Sequence, residues 1–322
     1  MPLDSTKHRG EPQLDRLMVT REELQAFQRK HSDLFHQLDE DRSEVLSDPP
    51  ERLFHYTNVD GLLGILQTSS LWATNVRFLN DFSELKYGAE LFREVLVESK
   101  TDIQDKQCRE YQLLDRVSDH SMVLEMFSCF VVCLSENGNQ LSQWRNYGGA
   151  GAGYSIGFNA CSLSHLRCTD SQHQFLFKVC YGRDRQKELL RNLVNTFLSR
   201  IKDESAAELK LFSSFLLARL QYYLVSFKNS AFKEQGEWRL VYTIPVPTDQ
   251  KNLEFRAASG LIVPYYVLKP AGKDLLPIEC VYQGPRALPE ITEQALKYLL
   301  WKAGYDGVEV KDSGIPLRMH AD

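Results

Sequence analysis

The hydrophobic positions change period several times along the chain, and each change predicts an element. Leu24, Phe27, His31, Leu34, Phe35 and Leu38 recur at steps of three and four. Thr20 and Glu23 precede them at capping-box spacing, which predicts a helix over 20–38 ending in the acidic run Asp39-Glu40-Asp41. Residues 1–19 are polar and read as a loose leader. Residues 41–50, closed by Pro49-Pro50, read as a linker. Leu53-Phe54-His55-Tyr56 predicts a short strand, and Asn58 or Asp60 then caps a helix carrying Leu62, Leu63, Ile65 and Leu66. A second strand follows at Leu71-Trp72-Ala73-Thr74. Asn80-Asp81 opens a long helix through Leu85, Leu91, Phe92 and Val95, with more helix over 105–125.

The centre of the chain reads as β-structure. Phe127 to Leu134 is a continuous apolar run, the mark of a buried strand. After the glycine turn of residues 148–153, Tyr154–Phe158 resumes strand character, and Phe175–Tyr181 is another strand. Helical spacing returns over 185–232, in two stretches. Strands are expected at Trp238–Ile244, Leu261–Lys269, Ile278–Tyr282 and Gly307–Lys311. A helix from Glu290 to Ala303 is stopped by Gly304. The pattern predicts an α+β fold: short strands in a split mixed sheet, interrupted by a helical insertion at 185–232, with an N-terminal leader and helix before residue 51.

Composition narrows the classes. The 322 residues are 43% hydrophobic and 25% charged, which excludes fibrous and wholly disordered readings. A formal net charge of −5 gives no general attraction to a phosphate backbone, although a local patch could still hold a nucleic acid. No apolar run approaches the ~18 residues of a membrane helix, and the first residues lack a signal-peptide core. Seven cysteines form no disulfide framework, so a reducing cytoplasm is the simplest setting. Cys129 and Cys133 share a strand face but stand ~13 Å apart, too far to grip one ion, so they read as core packing and no metal site is expected. The run Gly148–Gly153 has no Gly-Lys-Ser/Thr and is no Walker loop.

Four segments go beyond packing. His55-Tyr56-Thr57 ends a strand directly before a helix N-terminus, which favours anions. Satisfaction of a local hydrogen bond is the plain alternative for His55. Arg77 and Asn80-Asp81 with Glu84 crowd one turn, where capping explains Asp81 alone. Trp144-Arg145-Asn146-Tyr147, followed after the glycines by Tyr154, suits stacking on a flat ring, with a core contact the plain reading of Trp144. Gln235-Gly236-Glu237-Trp238-Arg239 puts an acid at a strand start, where it faces a cleft or pairs with Arg239 on the same strand face.

Taken in order, His55-Tyr56, Asn80-Asp81 with Glu84, Ser128-Cys129-Phe130, Trp144–Tyr147, Glu237-Trp238-Arg239 and Ser313–Arg318 resemble a bacterial family catalogued only as domain-of-unknown-function family 2971, over residues 51–318. His55-Tyr56-Thr57 and the helix after it also resemble the opening of ADP-ribosyltransferase folds, and Gln235-Gly236-Glu237 is similar to the Gln-x-Glu of some members. That resemblance implies a split mixed sheet of ADP-ribosyltransferase type over 51–322 and NAD as substrate. It implies a His–Tyr–Glu order met by His55, Tyr147 or Tyr154, and Glu237. His55 would hold the adenosine ribose. Tyr147 would stack on nicotinamide, and Glu237 would stabilise the oxocarbenium charge. Arg145 or Arg77 would neutralise the pyrophosphate.

The implied protein is a bacterial toxin, effector or phage-defence enzyme that modifies a protein or nucleic-acid acceptor, with room for a regulatory or antitoxin partner. Two other readings compete with it. One is a metal-dependent nuclease built on Asp81, Glu84 and Glu237. The other is a non-catalytic module that senses a nucleotide or a partner.

Overall fold

A computed structural model describes residues 21–43, 48–79, 83–118, 129–167, 173–244, 252–258, 260–272, 274–285 and 289–316. The fold is built around one strand, β3 (Cys129–Ser135). One edge of β3 pairs antiparallel along its whole length with β6 (Glu237–Thr243), from Cys129↔Thr243 to Ser135↔Glu237. The other edge is shared. β2 (Leu71–Asn75) takes its start, at Thr74↔Val131 and Asn75↔Phe130. β1 (Arg52–Thr57) takes its end, at Phe54↔Ser135. A strand has only two edges, so β1 and β2 must part between these points, and the sheet forks.

One limb runs β1, β4 (Tyr154–Asn159), β9 (Ile278–Gln283), β10 (Glu309–Asp312). The other runs β2, β8 (Leu261–Leu268), β7 (Glu254–Ala258). β5 (His173–Lys178) extends the stem beyond β6. β9 and β10 are parallel and the other pairs antiparallel, so the sheet is mixed, as the hydrophobic pattern predicted. The pattern overlooked β7, a short, largely exposed edge strand with no apolar run.

β3 is apolar from Cys129 to Leu134 because both its faces are covered. Cys129 and Val131 face a helical lobe formed by Ser83–Thr101, Arg109–Arg116, Arg183–Ile201 and Ala206–Ser226. Phe130, Val132 and Leu134 face a second cluster with the helices Val59–Thr68 and Pro289–Lys302. Asn58, rather than Asp60, caps the first of these helices, its side chain accepting from the Gly61 amide at 2.8 Å.

The helix expected over 20–38 is two helices, Arg21–Lys30 and Ser32–Ser43, broken at His31. They pack on the helical lobe: Phe27 stacks on Phe215 at 4.9 Å and meets Phe212 edge-on. The stretch 105–125 is helical over Arg109–Arg116, and residues 119–128 lie outside the described ones, as do Asn80, Asp81, Leu317 and Arg318. Among the described residues no helix is long and apolar enough to cross a membrane.

Candidate functional site

The fork leaves a cleft of ≈ 210 Å³ beside the open edge of β3. Its floor is Val131 to Ser135, and its walls come from both limbs and the helical lobe. His55 stands where β1 departs. Its Nδ1 lies 3.0 Å from the Cys133 carbonyl, which the fork deprives of a strand partner. Burial lowers the His55 pKa, so the ring is neutral, Nδ1 donates to that carbonyl, and Nε2 is left as an acceptor. The local hydrogen bond and the place in a cleft therefore coexist.

Glu237 enters from the stem. Gly236, at φ +49°, closes the 3₁₀ turn Ser230–Gln235 in the left-handed region and turns the chain into β6. Since Phe54 is opposite Ser135 and Ser135 opposite Glu237, the β1 and β6 backbones are two strand spacings, ~10 Å, apart, with β3 between them. Gln235 and Tyr147 line the same cleft, Gln235 buried and Tyr147 half-exposed.

Glu237 is not a solitary acid. Its Oε1 accepts from Arg239 Nε at 2.7 Å and its Oε2 from Lys228 Nζ at 2.6 Å. Glu84 closes the ring, with Oε1 2.8 Å from Lys228 Nζ and Oε2 2.5 Å from Arg239 Nη2. Arg239 Nη1 also donates to the Val225 carbonyl at 2.7 Å. All four side chains are at most 8% exposed. Burial would raise the Glu237 pKa, but the charges of Arg239 and Lys228 outweigh it and hold the carboxyl at about 2. Burial would likewise lower Lys228 and Arg239, and the two glutamates overcome it and raise both. The ion pair weighed against a catalytic role for Glu237 is thus present, as half of a neutral four-charge ring.

The nominated residues divide. His55, Tyr56, Tyr147, Gln235 and Glu237 are brought to the cleft. Tyr56 braces it: its hydroxyl donates to the Asn137 carbonyl at 2.6 Å and accepts from the Gln140 amide at 2.9 Å. Burial pushes this phenol to about 12. Arg77 and Arg145 are exposed and line no part of the cleft, so neither neutralises charge inside it. Tyr154 is a correction as well. It is buried with Ile156 and Phe158, its neighbours on one strand face, in the second hydrophobic cluster and offers no stacking surface. Thr57 sits above the helix start, where a Cβ on Gly61 would come within 1.9 Å of its Oγ1. Asn80 lies outside the described residues. Trp144 is fully buried, edge-on to Tyr56 at 4.9 Å, with Nε1 donating to Asn139 Oδ1 at 2.9 Å, as its plain reading held.

Sequence reasoning missed Lys228 and Arg256, which also line the cleft. Lys228 follows a helix end and carries no motif. The nuclease reading loses its geometry here: Glu84 and Glu237 are each bridged by Lys228 and Arg239, leaving no carboxylate pair open to an ion. The three-ligand group that does form among the described residues is His31, Glu204 and Glu208, in the helical lobe, where Lys30 Nζ bonds both carboxylates at 2.7 and 2.6 Å. Burial pushes the Cys133 thiol to about 12, so it is no nucleophile.

Residues 143–240 match the model of a family described as a protein of unknown function, DUF2971. The stretch includes Tyr147, Lys228, Gln235, Glu237 and Arg239, and stops short of His55 and Arg256. No curated protein and no solved structure matches the chain.

Proposed function

We propose that the cleft binds NAD and transfers its ADP-ribose to a macromolecular acceptor, protein or nucleic acid, as a bacterial toxin, effector or defence enzyme would. The observation that supports this reading is the meeting at one fork of His55, Tyr147, Gln235 and an ionised Glu237, from three separate stretches of chain. In the reaction the bond from C1′ of the ribose to the nicotinamide nitrogen breaks. Nicotinamide leaves with the electron pair, an acceptor O or N bonds to C1′, and the acceptor releases a proton. Positive charge develops on the ribose before the new bond is complete.

Glu237 suits that charge because it stays ionised at every physiological pH. Two of its about four lone-pair positions are used by Arg239 and Lys228, leaving acceptor capacity for a ribose hydroxyl. The ring of charges fixes its rotamer in advance, which is positioning rather than chemistry. Nε2 of neutral His55 accepts from a second ribose hydroxyl. Tyr147 offers a ring face to nicotinamide, and Gln235 orients the acceptor.

The test is nicotinamide release from NAD by the full chain, with and without cell lysate, beside Glu237→Gln and Tyr147→Ala. Release by the wild type that falls at least ~100-fold in a folded Glu237→Gln is the expected result, the scale of losing one electrostatic stabiliser. Absence of release and of NAD binding in the wild type overturns the reading. NAD binding without release or labelling leaves a sensing module instead.

A further inference from the structure

Neither arginine nominated for the substrate's diphosphate lines the cleft, yet the cleft is positively charged. Glu84 and Glu237 cancel Lys228 and Arg239, and His55 is neutral, so the remaining charge on the lining is that of Arg256. In a chain with a formal charge of −5, this lining carries a net +1.

Arg256 comes from the edge strand β7. It pairs with Val263 on β8, while Thr74 on β2 pairs with Tyr265, also on β8. The guanidinium therefore reaches across β8 to β2, where Nη2 donates to Thr74 Oγ1 at 3.1 Å. Its Nε is buried and has no hydrogen-bond partner. A buried donor on a permanent cation without an acceptor is costly, so something that completes it stabilises the site. Beside it stands Trp72, 45% exposed, stacked on Tyr265 at 4.4 Å, with the Arg256 Cζ 6.0 Å from its ring centroid. Phe78, 37% exposed, lines the same mouth.

We propose that this wall is a nucleoside-diphosphate subsite, in which Arg256 and the Thr74 hydroxyl hold the diphosphate and Trp72 stacks on the base. A fixed guanidinium with free donors matches phosphate oxygens, and an exposed indole held from behind is a ready platform for a purine. The assignment deepens the NAD reading and rests on it for the choice of adenine as the base. In that pose the diphosphate lies on the β2–β8–β7 limb and the reacting ribose lies toward Glu237.

Calorimetric titration of the full chain with ADP, ADP-ribose, inorganic pyrophosphate and nicotinamide riboside tests it, on the wild type, Arg256→Gln, Arg256→Lys and Trp72→Ala. Loss of a charge-assisted contact predicts at least ~10-fold weaker ADP and ADP-ribose binding in Arg256→Gln, with nicotinamide riboside unaffected. Arg256→Lys, which keeps the charge and so controls for folding, recovers part of the loss. Trp72→Ala weakens ADP and spares pyrophosphate. ADP binding within twofold of the wild type in folded Arg256→Gln overturns the assignment, as does ADP binding by the wild type that is insensitive to salt. Nicotinamide release unaltered by Arg256→Gln overturns the subsite and leaves the transferase standing. Arg256-dependent ADP binding with no nicotinamide release does the reverse.

Discussion

Glu237→Gln is the natural substitution for testing catalysis, and it should damage the fold before it reports on chemistry. Its carboxylate is the counter-ion of two buried cations, so the change leaves Arg239 and Lys228 facing Glu84 alone, with one uncompensated positive charge inside the protein. Removing one partner of a buried pair costs ~3–5 kcal/mol. The direction agrees: the two cations hold the Glu237 carboxyl well below its ordinary value, so its charge stabilises the folded state. Against a domain stability of ~5–15 kcal/mol such a cost is a large fraction. Urea unfolding at pH 7 should show the loss directly.

Lys228→Met added to Glu237→Gln removes the surplus charge, and the double variant should be more stable than the sum of the two single losses predicts by at least ~1 kcal/mol. The pH dependence has a fixed sign, because the folded pKa is depressed. The Glu237 contribution is complete above the unfolded value near 4.5 and is lost as pH falls toward 2, so the gap between wild type and variant should close across that window. A single-variant loss under ~1 kcal/mol, or strict additivity, would refute the charge-ring account. Activity lost in Glu237→Gln is therefore evidence of catalysis only beside a measured stability.

Other expectations follow from single sites. Gly236→Ala forces a Cβ into a backbone at φ +49° and should cost ~1–2 kcal/mol by thermal melting, with nicotinamide release falling as Gln235 and Glu237 shift. Native protein at pH 8 should leave Cys133 unmodified by a thiol reagent that labels exposed Cys161, since the Cys133 thiol is raised to about 12; modification of Cys133 at the same rate would contradict that raised pKa. Phe27→Ala should remove the anchor between the N-terminal helices and the lobe, costing ~3–5 kcal/mol and opening Arg21–Lys30 to limited proteolysis while the cleft still binds ADP.

Much of this protein is written locally. The apolar run at Cys129–Ser135 announces a strand covered on both faces, and the three- and four-residue spacing over 185–232 announces the helical lobe, because the period of burial is a property of each segment alone. The period of two on β4 also placed Tyr154 beside Ile156 and Phe158, which is where it lies, against its nomination as a stacking residue. The ordering of His55, Tyr147, Gln235 and Glu237 was equally legible. What joins them was not. The cleft exists because β1 and β2 compete for one edge of β3, and such pairing depends on residues far apart in sequence.

The same holds for the charges. Glu237 and Arg239 are neighbours on a strand, but Lys228 and Glu84 reach them only through the packing of the lobe. Arg256 sits on an edge strand whose exposure erases its pattern, and its value lies in what stands across β8 from it. A sequence shows which side chains carry charge and which segments bury a face. Whether a charge is exposed like Arg145, paired like Glu237 or half-buried with an open donor like Arg256 is decided by neighbours that only the folded chain supplies.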